Sequence, residues 1–286
     1  MPMALILSSH VAGSQVGGSA QAAALAQFGV DSMVVPTVLY GRHPGWGPPG
    51  GAPTSVEVME AMLEGVAANG LLSLTDVVIT GYFASAAQVR AAARAIDAVR
   101  AAPREDPPKG AAARAPTVIV DPTMGDAGKG LYVPAEVAEA IAGELVPRAD
   151  LVACNAWELR HLTGADCGDP QAAVRAGRLL GKPVLVSSVQ SGSEIGVVHV
   201  DRNEAWLAAH PRAQRAPNGT GDLLTALFAA SLLEGQTLSY GLARAVGGVA
   251  ETVTAANLWN APELPIVAMA ARIKQTSPGV RIERLA

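Results

Sequence analysis

The sequence predicts an α/β protein whose mostly parallel central sheet carries helices on both faces and has an antiparallel edge. Short apolar segments alternate with segments of helical length along most of the chain. Residues 117–120 are uniformly β-branched, which is typical of a parallel strand buried on both faces. Residues 195–200 and 205–209 flank a turn at 201–203, as expected of an antiparallel pair.

The strands are predicted where short apolar runs end in polar residues. The first run, for example, ends in Ser8-Ser9-His10, and the run at 117–120 ends in Asp121. We expect strands at residues 4–8, 32–38, 76–80, 117–120, 151–153, 183–187, 195–200 and 205–209.

The helices are predicted from their start and stop residues. Gly17 opens an Ala-rich segment for which Gly29 is the expected C-cap. Thr54 and Glu57 match a capping box, and Pro170 suits a first helical turn. We expect helices to begin at residues 17, 54, 85, 134, 155 and 170, and to span residues 220–233, 238–257 and 262–274.

Two segments between these elements differ in composition. Residues 41–53 are so rich in Gly and Pro that no regular element is expected. Such a loop is either a functional lid or a disordered tip, and His43 and Trp46 favour a lid. Residues 103–116 are predicted to be a surface loop, because the strand–helix alternation resumes after them. We therefore expect residues 1–286 to form a single domain.

The composition argues against several function classes. Half of the 286 residues are hydrophobic, and a net charge of −4 without a basic block argues against nucleic-acid binding. The apolar run at 223–233 is too short to span a bilayer, and no basic leader precedes the first apolar residues, so no membrane partner is expected. Cys154 and Cys167 form no paired motif, which is typical of a reducing cytoplasm.

The segment 218–222 (Asn-Gly-Thr-Gly-Asp) opens the helix predicted at 220–233. A glycine-rich turn at a helix N-terminus directs backbone N–H groups at one spot and adds the positive end of the helix dipole. That spot suits an anion or a phosphoryl group in transfer. Asp222 lies beside it, where a carboxylate can take a proton from an attacking hydroxyl. The alternative is a tight turn in which Asp222 merely caps the helix.

Other polar residues follow the predicted parallel strands, whose carboxyl ends form the ligand-binding edge of such sheets. Acids near a phosphate site indicate Mg²⁺ held by oxygen ligands and water. The chain has no Walker-type loop, Gly-x-Ser-x-Gly elbow or Rossmann glycine fingerprint, which excludes a P-loop kinase. Taken singly, Asp121 is also explained as a strand-end turn former, and Asn155 with Glu158 as a helix cap.

The order of these motifs resembles the pyridoxal kinases of the ribokinase-like superfamily. The resemblance covers nearly the whole chain and runs through residues 9–11, 38–43, 80–82, 121–126, 155–158 and 219–222. It implies a three-layer α/β/α ribokinase-like fold. It also implies ATP-dependent phosphorylation of the 5′-hydroxymethyl group of pyridoxal, with pyridoxine and pyridoxamine as further substrates, in vitamin B6 salvage. ATP, Mg²⁺, a homodimer and a cytoplasmic location follow from the same resemblance, which leaves a role for K⁺ open.

The resemblance assigns a role to each matching residue. Asp222 would be the base, and the N–H groups of Gly219, Thr220 and Gly221 would form the anion hole for the γ-phosphoryl group. The substrate-binding residues would be Ser9, Val38, Tyr40, His43, Tyr82 and Asp222. The ATP-binding residues would be Asp121, Asp126, Asn155, Ser187, Ser188, Gly219 and Gly221. Mg²⁺ would be held, mostly through water, by Asp121, Asp126 and Glu158.

Two departures from the family pattern keep alternatives open. Pro44 stands where the family commonly has a Thr that reaches the pyridoxal ring, and Ala153-Cys154 stands where Thr-Pro is common. A lost ligand hydrogen bond costs about 0.5–1.5 kcal/mol, which weakens a kinase without abolishing it. The alternatives are a hydroxymethylpyrimidine kinase and a non-catalytic vitamin B6 binding or reservoir protein. Asp222 argues against the latter, because a binder needs no base.

Overall fold

The computed structural model describes residues 1–104 and 115–286, so most of the surface loop predicted at 103–116 lies outside the described residues. The strands in these ranges are β1 (Met3–Val11), β2 (Asp31–Tyr40), β3 (Gly51–Pro53), β4 (Val77–Thr80), β5 (Thr117–Val120), β6 (Gly125–Asp126), β7 (Gly130–Leu131), β8 (Leu151–Asn155), β9 (Val184–Ser191), β10 (Glu194–Val200), β11 (Ala205–Pro211) and β12 (Arg281–Arg284). The α-helices are α1 (Gly17–Ala26), α2 (Val56–Ala68), α3 (Ala86–Ala101), α4 (Ala135–Ala140), α5 (Ala156–Thr163), α6 (Pro170–Leu180), α7 (Thr220–Leu233) and α8 (Leu238–Leu258).

One sheet of ten strands crosses the described part of the molecule in the order β12-β11-β10-β9-β8-β5-β4-β1-β2-β3. The six strands from β9 to β2 in this order are mutually parallel. β3 adds an antiparallel strand at one edge, and β10, β11 and β12 continue the sheet in antiparallel pairs at the other. The predicted parallel sheet with an antiparallel edge is therefore confirmed.

Each face of the sheet packs against its own layer of helices. Successive strand residues point to opposite faces, so Leu5 and Leu7 of β1 join the core shared with α2 to α6. Ala4 and Ile6 join the core shared with α1, α7 and α8. The predicted three-layer α/β/α arrangement is confirmed. None of the helices in the described ranges is long and apolar enough to cross a membrane.

The chain after α8 differs from the prediction. The prediction of a helix at 262–274 is wrong, because residues 266–274 form consecutive hydrogen-bonded turns. The carbonyl of Met269 accepts from the N–H groups of both Arg272 (2.8 Å) and Ile273 (3.0 Å). Pro265 explains part of the difference, since it has no N–H and disfavours helical geometry in the residue before it. Strand β12 was not predicted, because its charged residues are typical of an exposed sheet edge rather than a buried strand.

Residues 41–53, which were predicted to lack regular structure, contain two short elements. A 3-10 turn spans Pro44–Trp46, and β3 pairs Gly51 with Tyr40. Gly51 has a φ of +87°, and a Cβ there would lie 2.0 Å from the carbonyl oxygen of Leu39. The close pairing therefore requires glycine. A strand of three residues between glycines and prolines gives no apolar pattern from which it could be predicted.

The side chain of Gln88 fixes both flanks of this loop. It is buried in α3 and donates through Nε2 to the carbonyl oxygens of Thr37 (2.8 Å) and Thr54 (2.6 Å). Its Oε1 accepts from the N–H of Ala84 (2.8 Å). Thr37 lies in β2 before the loop and Thr54 directly follows β3. One amide therefore ties both ends of the loop to the body of the protein.

We predict that Gln88→Ala lowers the free energy of unfolding by about 2–3 kcal/mol, because it leaves buried backbone groups without partners. Urea denaturation would measure the loss. Gln27→Ala is the matched control, since within the described ranges the side-chain amide of Gln27 bonds only to the carbonyl of Ala23, one turn earlier (3.2 Å). The control should lose less than about 1 kcal/mol. Equal losses in the two variants would show that the Gln88 amide does not have this bracing role.

Candidate active site

A cavity of about 720 Å³ opens between the carboxyl ends of the parallel strands and the N-terminus of α7. Every residue that the sequence placed in the site lines this cavity: Ser9, Val38, Tyr40, His43, Tyr82, Asp121, Asp126, Asn155, Glu158, Ser187, Ser188, Gly219, Thr220, Gly221 and Asp222. The structure thus brings together residues that are spread over more than 200 positions of the chain. What each residue does there remains a prediction.

The N-terminus of α7 forms one wall of the cavity. Gly219 is the N-cap residue, with a φ of +89° and no side chain to cap the helix. A Cβ at Gly219 would lie 2.2 Å from the carbonyl oxygen of Gln15, whereas a Cβ at Gly221 would meet nothing within 4 Å. Packing therefore requires the first glycine, and the second leaves open space. The first helical turn presents N–H groups and the positive end of its dipole to this space, which suits an anion.

Asp222 is the third residue of α7 and not its N-cap. Its carboxylate lies near the backbone N–H of Gly17, the first residue of α1, which favours the charged form of the carboxylate. Burial raises the pKa of Asp222 to about 7, and the charge of Asp121 adds to the rise. A carboxyl group whose pKa lies near neutrality is matched to the work of a general base. The alternative in which Asp222 only caps the helix does not describe this geometry.

Asp121 is buried beside Asp222 at the end of β5. Its Oδ1 accepts from the N–H (3.1 Å) and the hydroxyl (2.6 Å) of Thr123, and its Oδ2 accepts from the hydroxyl of Thr225 (3.3 Å). Burial raises the pKa of Asp121, and these hydrogen bonds oppose the rise. The bonds to Thr123 also make Asp121 a turn former, so the structural explanation of this residue holds together with its place in the cavity.

Asn155 and Glu158 form a reciprocal capping box at the start of α5. The Asn155 side chain accepts from the N–H of Glu158, and the Glu158 carboxylate accepts from the N–H of Asn155, each at 2.9 Å. The other Glu158 oxygen accepts from the N–H of Met124 (2.9 Å) and of Gly125 (3.4 Å), and the Asn155 amide donates to the Gly125 carbonyl (2.9 Å). The observed contacts of both residues therefore cap a helix and hold the loop after β5.

Several carboxyl groups crowd the cavity. Burial and the charge of Asp121 raise the pKa of Glu158, as they raise that of Asp222. This mutual repulsion is what a bound cation would relieve, so the chemistry of the donor set fits Mg²⁺. In the described ranges, however, no group of three or more His, Cys, Asp or Glu side chains is close enough to hold a metal directly. The arrangement fits the predicted contacts through water.

The part of the cavity lined by Val38, Tyr40 and Tyr82 is more apolar than the part lined by the carboxyl groups. Val38 is almost fully buried, and the rings of Tyr40 and Tyr82 face the same space. Burial raises the pKa of Tyr82, and its neighbour Tyr40 adds to the rise. His43 lies at the mouth, where its Nδ1 accepts from the N–H of Gly45 (3.0 Å) and contacts the side-chain amide of Asn218 (3.3 Å). The loop at 41–53 is thus joined to the turn before α7.

Ser187 and Ser188, two of the residues predicted to bind ATP, lie on β9. Ser188 has a φ of +62°, which is uncommon for a residue other than glycine. The hydroxyl of Ser187 lies 3.5 Å from the carbonyl oxygen of Cys154. Both serines line the cavity with free space in front of them, and Ala153 and Cys154 line it beside them.

Further residues that line the cavity include Tyr132, Lys129 and Thr225, which the sequence patterns did not single out. Thr225 lies one turn after Asp222 on the same helix, and this spacing was a usable signal. Lys129 stands between Gly128 and Gly130, but nothing in the local sequence shows that this segment reaches the cavity. Burial, together with the charges of Glu158 and Asp121, raises the pKa of Tyr132.

Comparisons with known proteins identify the family of this chain. A family model described as phosphomethylpyrimidine kinase matches residues 109–265, more than half of the chain. The chain is similar to a pyridoxine/pyridoxal/pyridoxamine kinase of Bordetella avium, at 36% identity over 81% of this chain and 78% of the relative. It is also similar to the pyridoxal kinase PdxY of Rubrobacter xylanophilus, at 30% identity over 97% of this chain and 94% of the relative.

The fold is also that of a solved structure. The pyridoxal kinase of Leishmania donovani in complex with ADP and pyridoxamine superimposes with a TM-score of 0.89 and 23% identity, and the match covers 100% of both chains. The chain therefore belongs to the phosphomethylpyrimidine kinase family and, with its pyridoxal kinase relatives, to the ribokinase-like superfamily.

Proposed function

We propose that this protein is a pyridoxal kinase, which transfers the γ-phosphoryl group of ATP to the 5′-hydroxymethyl group of pyridoxal and also accepts pyridoxine or pyridoxamine. One observation carries the proposal: the Asp222 carboxylate, with its raised pKa, stands beside the N-terminus of α7 in the cavity. A base and an anion hole next to each other are what a hydroxyl needs to attack a phosphoryl group. The names of the relatives support the choice of substrate.

The two halves of the cavity suit the two substrates. The apolar half, with Val38, Tyr40 and Tyr82, suits the faces of a pyridine ring, and Ser9 would hydrogen-bond its edge. Asp222 would take the proton of the attacking hydroxyl. The N–H groups of residues 219–221 would bind the oxygens of the γ-phosphoryl group, where negative charge concentrates in the transition state.

The opposite half would hold the phosphates of ATP. Ser187, Ser188 and Asn155 provide neutral hydrogen-bonding groups there, and Asp121, Asp126 and Glu158 would hold Mg²⁺ mostly through water. The bound cation would neutralise phosphate charge. K⁺ is a candidate for a second cation. We further propose that residues 1–286 act as one kinase domain, that residues 41–53 close over the substrate, and that the protein works as a cytoplasmic homodimer.

Two alternatives have specific support. The description of the matching family model favours a hydroxymethylpyrimidine substrate. Pro44, which lines the cavity without a hydroxyl or an N–H, favours a vitamin B6 binding or reservoir protein with little turnover. Asp222 and its buried setting favour the kinase over the reservoir, because keeping a buried carboxylate in a mere binding pocket costs stability without a return in function.

We predict ADP release from Mg·ATP with the purified protein when pyridoxal is the acceptor. Pyridoxine, pyridoxamine and hydroxymethylpyrimidine are compared in a coupled assay at equal concentration. We expect pyridoxal to be phosphorylated faster than the pyrimidine. Turnover on the pyrimidine alone would establish the first alternative, and pyridoxal binding without ADP release would establish the second.

Replacing Asp222 with Asn should lower kcat by about 10²- to 10⁴-fold, because an amide cannot accept the hydroxyl proton. Pyridoxal affinity, measured by fluorescence titration, should change little, since the variant keeps the size of the side chain. Asp97→Asn is the control, because Asp97 is a surface carboxylate paired with Arg148 on the far face of α3. A kcat within twofold of the wild type in the Asp222 variant would rule out this residue as the base.

The raised pKa of Asp222 also predicts a pH dependence of stability. Between about pH 4 and pH 7 the folded protein keeps a proton on Asp222 that the unfolded chain has lost, so the free energy of unfolding should fall as the pH rises. Asp222→Asn should reduce this fall by about 4 kcal/mol, as measured by urea denaturation at several pH values. Glu60→Gln, at a surface carboxylate of α2, should leave the fall intact. A fall equal in all three proteins would contradict the assignment.

A further inference from the structure

The charges around the cavity are unbalanced. Four carboxylates of the described chain line it: Asp121, Asp126, Glu158 and Asp222. Lys129 is the only Lys or Arg among the lining residues in the described ranges. His43 offers little positive charge, because burial lowers its pKa and the charge of Lys129 lowers it further. A nucleotide triphosphate that enters this cavity therefore meets a single side-chain cation.

Lys129 occupies the tip of the hairpin formed by β6 and β7. Its backbone N–H bonds to the carbonyl of Asp126 (3.2 Å), and the flanking Gly128 and Gly130 have φ values of +85° and +70°. These glycines let the chain reverse within four residues. The turn brings the exposed Lys129 side chain to the lining of the cavity, three residues after Asp126, which the family resemblance assigns to ATP binding.

The base of the same hairpin is firmly held. Glu158 accepts from the N–H groups of Met124 and Gly125, and Asn155 donates to the Gly125 carbonyl. Gly125 also lies against the ring of Trp157, so closely that a Cβ at residue 125 would be 1.9 Å from the ring. The capping box of α5 thus fixes where the hairpin leaves the sheet, and with it the place of its tip.

The ammonium group of Lys129 makes no hydrogen bond or ion pair with any residue in the described ranges 1–104 and 115–286. The two other lysines of these ranges are engaged elsewhere: Lys182 donates to the carbonyls of Pro147 and Ala149, and Lys274 lies 6.0 Å from the ring of Phe28. A cation at a cavity rim that is not used within the protein is available to a ligand.

We propose that Lys129 binds the phosphate chain of the nucleotide, which rests on and deepens the kinase function proposed above. The Gly219–Gly221 turn supplies neutral N–H donors on one side of the transferred phosphoryl group. Lys129 supplies a full positive charge from the β6–β7 hairpin, which lines the same cavity. A point charge on a flexible stem suits phosphate oxygens whose positions change during transfer. The carboxylates then face a ligand whose excess negative charge is partly neutralised by the protein itself.

The test compares a triphosphate with a monophosphate. Isothermal titration measures the affinity of the protein for the non-hydrolysable analogue Mg·AMP-PNP and for AMP. In Lys129→Met we expect affinity for the triphosphate analogue to fall about tenfold, since a charge-assisted contact is lost. AMP affinity should stay within twofold. Lys129→Arg should keep most of the affinity, and Lys129→Glu should lose more than Lys129→Met.

Lys274→Met is the matched control, because it makes the same change of charge on an exposed residue outside the cavity. Its affinity for both nucleotides should equal that of the wild type. The proposal is overturned if Lys129→Met binds the triphosphate analogue as tightly as the wild type, or if AMP binding weakens by the same factor. A further outcome separates the two proposals. If Lys129→Met weakens binding of the triphosphate analogue as expected, but the wild-type protein phosphorylates none of the acceptors, the nucleotide contact is supported and the proposed kinase function is overturned.

Discussion

The site depends on the close approach of the α7 N-terminus to the loop between β1 and α1. Gly219 allows this approach, since any side chain there would collide with the Gln15 carbonyl. Gly17 allows it from the other side, because a Cβ at that position would lie 2.1 Å from the Ser9 hydroxyl oxygen. The backbone N–H of Gly17 then reaches Asp222. One tight contact therefore sets the anion-binding turn, the predicted base and the predicted ring-binding serine relative to one another.

A residue near the C-terminus fixes the loop in this contact. The Glu263 carboxylate accepts from the hydroxyl of Ser14 (2.8 Å) and the N–H of Gln15 (3.0 Å). Glu263 precedes the turns that replace the predicted helix at 262–274, and its neighbour Leu264 is buried in the core shared with α7. A regular helix would place this carboxylate differently. Two contacts therefore hold this irregular segment in position. Leu264 is buried in the core shared with α7, and Glu263 is bonded to the loop between β1 and α1.

Local sequence patterns predicted much of this molecule, and the failures have a common cause. The β-branched run at 117–120 and the Gly-Thr-Gly-Asp turn each carry their own signal, and both the parallel sheet and the cavity-lining set were predicted from such signals. β12 could not be predicted, because it is a strand only through its pairing with β11. Lys129 was missed because its place depends on the α5 capping box, which is distant in sequence.

The electrostatics of the cavity connect binding to proton transfer. In the ligand-free protein, burial and the charge of Asp121 both hold a proton on Asp222 near neutral pH. Burial remains when ligands enter, but the effect of Asp121 falls once positive charge balances it. The pKa of Asp222 then decreases, and its carboxylate becomes able to take the proton of a hydroxyl. The proposed base would then be ionised in the charge-balanced, nucleotide-bound cavity. Under the proposed mechanism, acceptor activation would follow nucleotide binding, because two carboxyl groups lie close together.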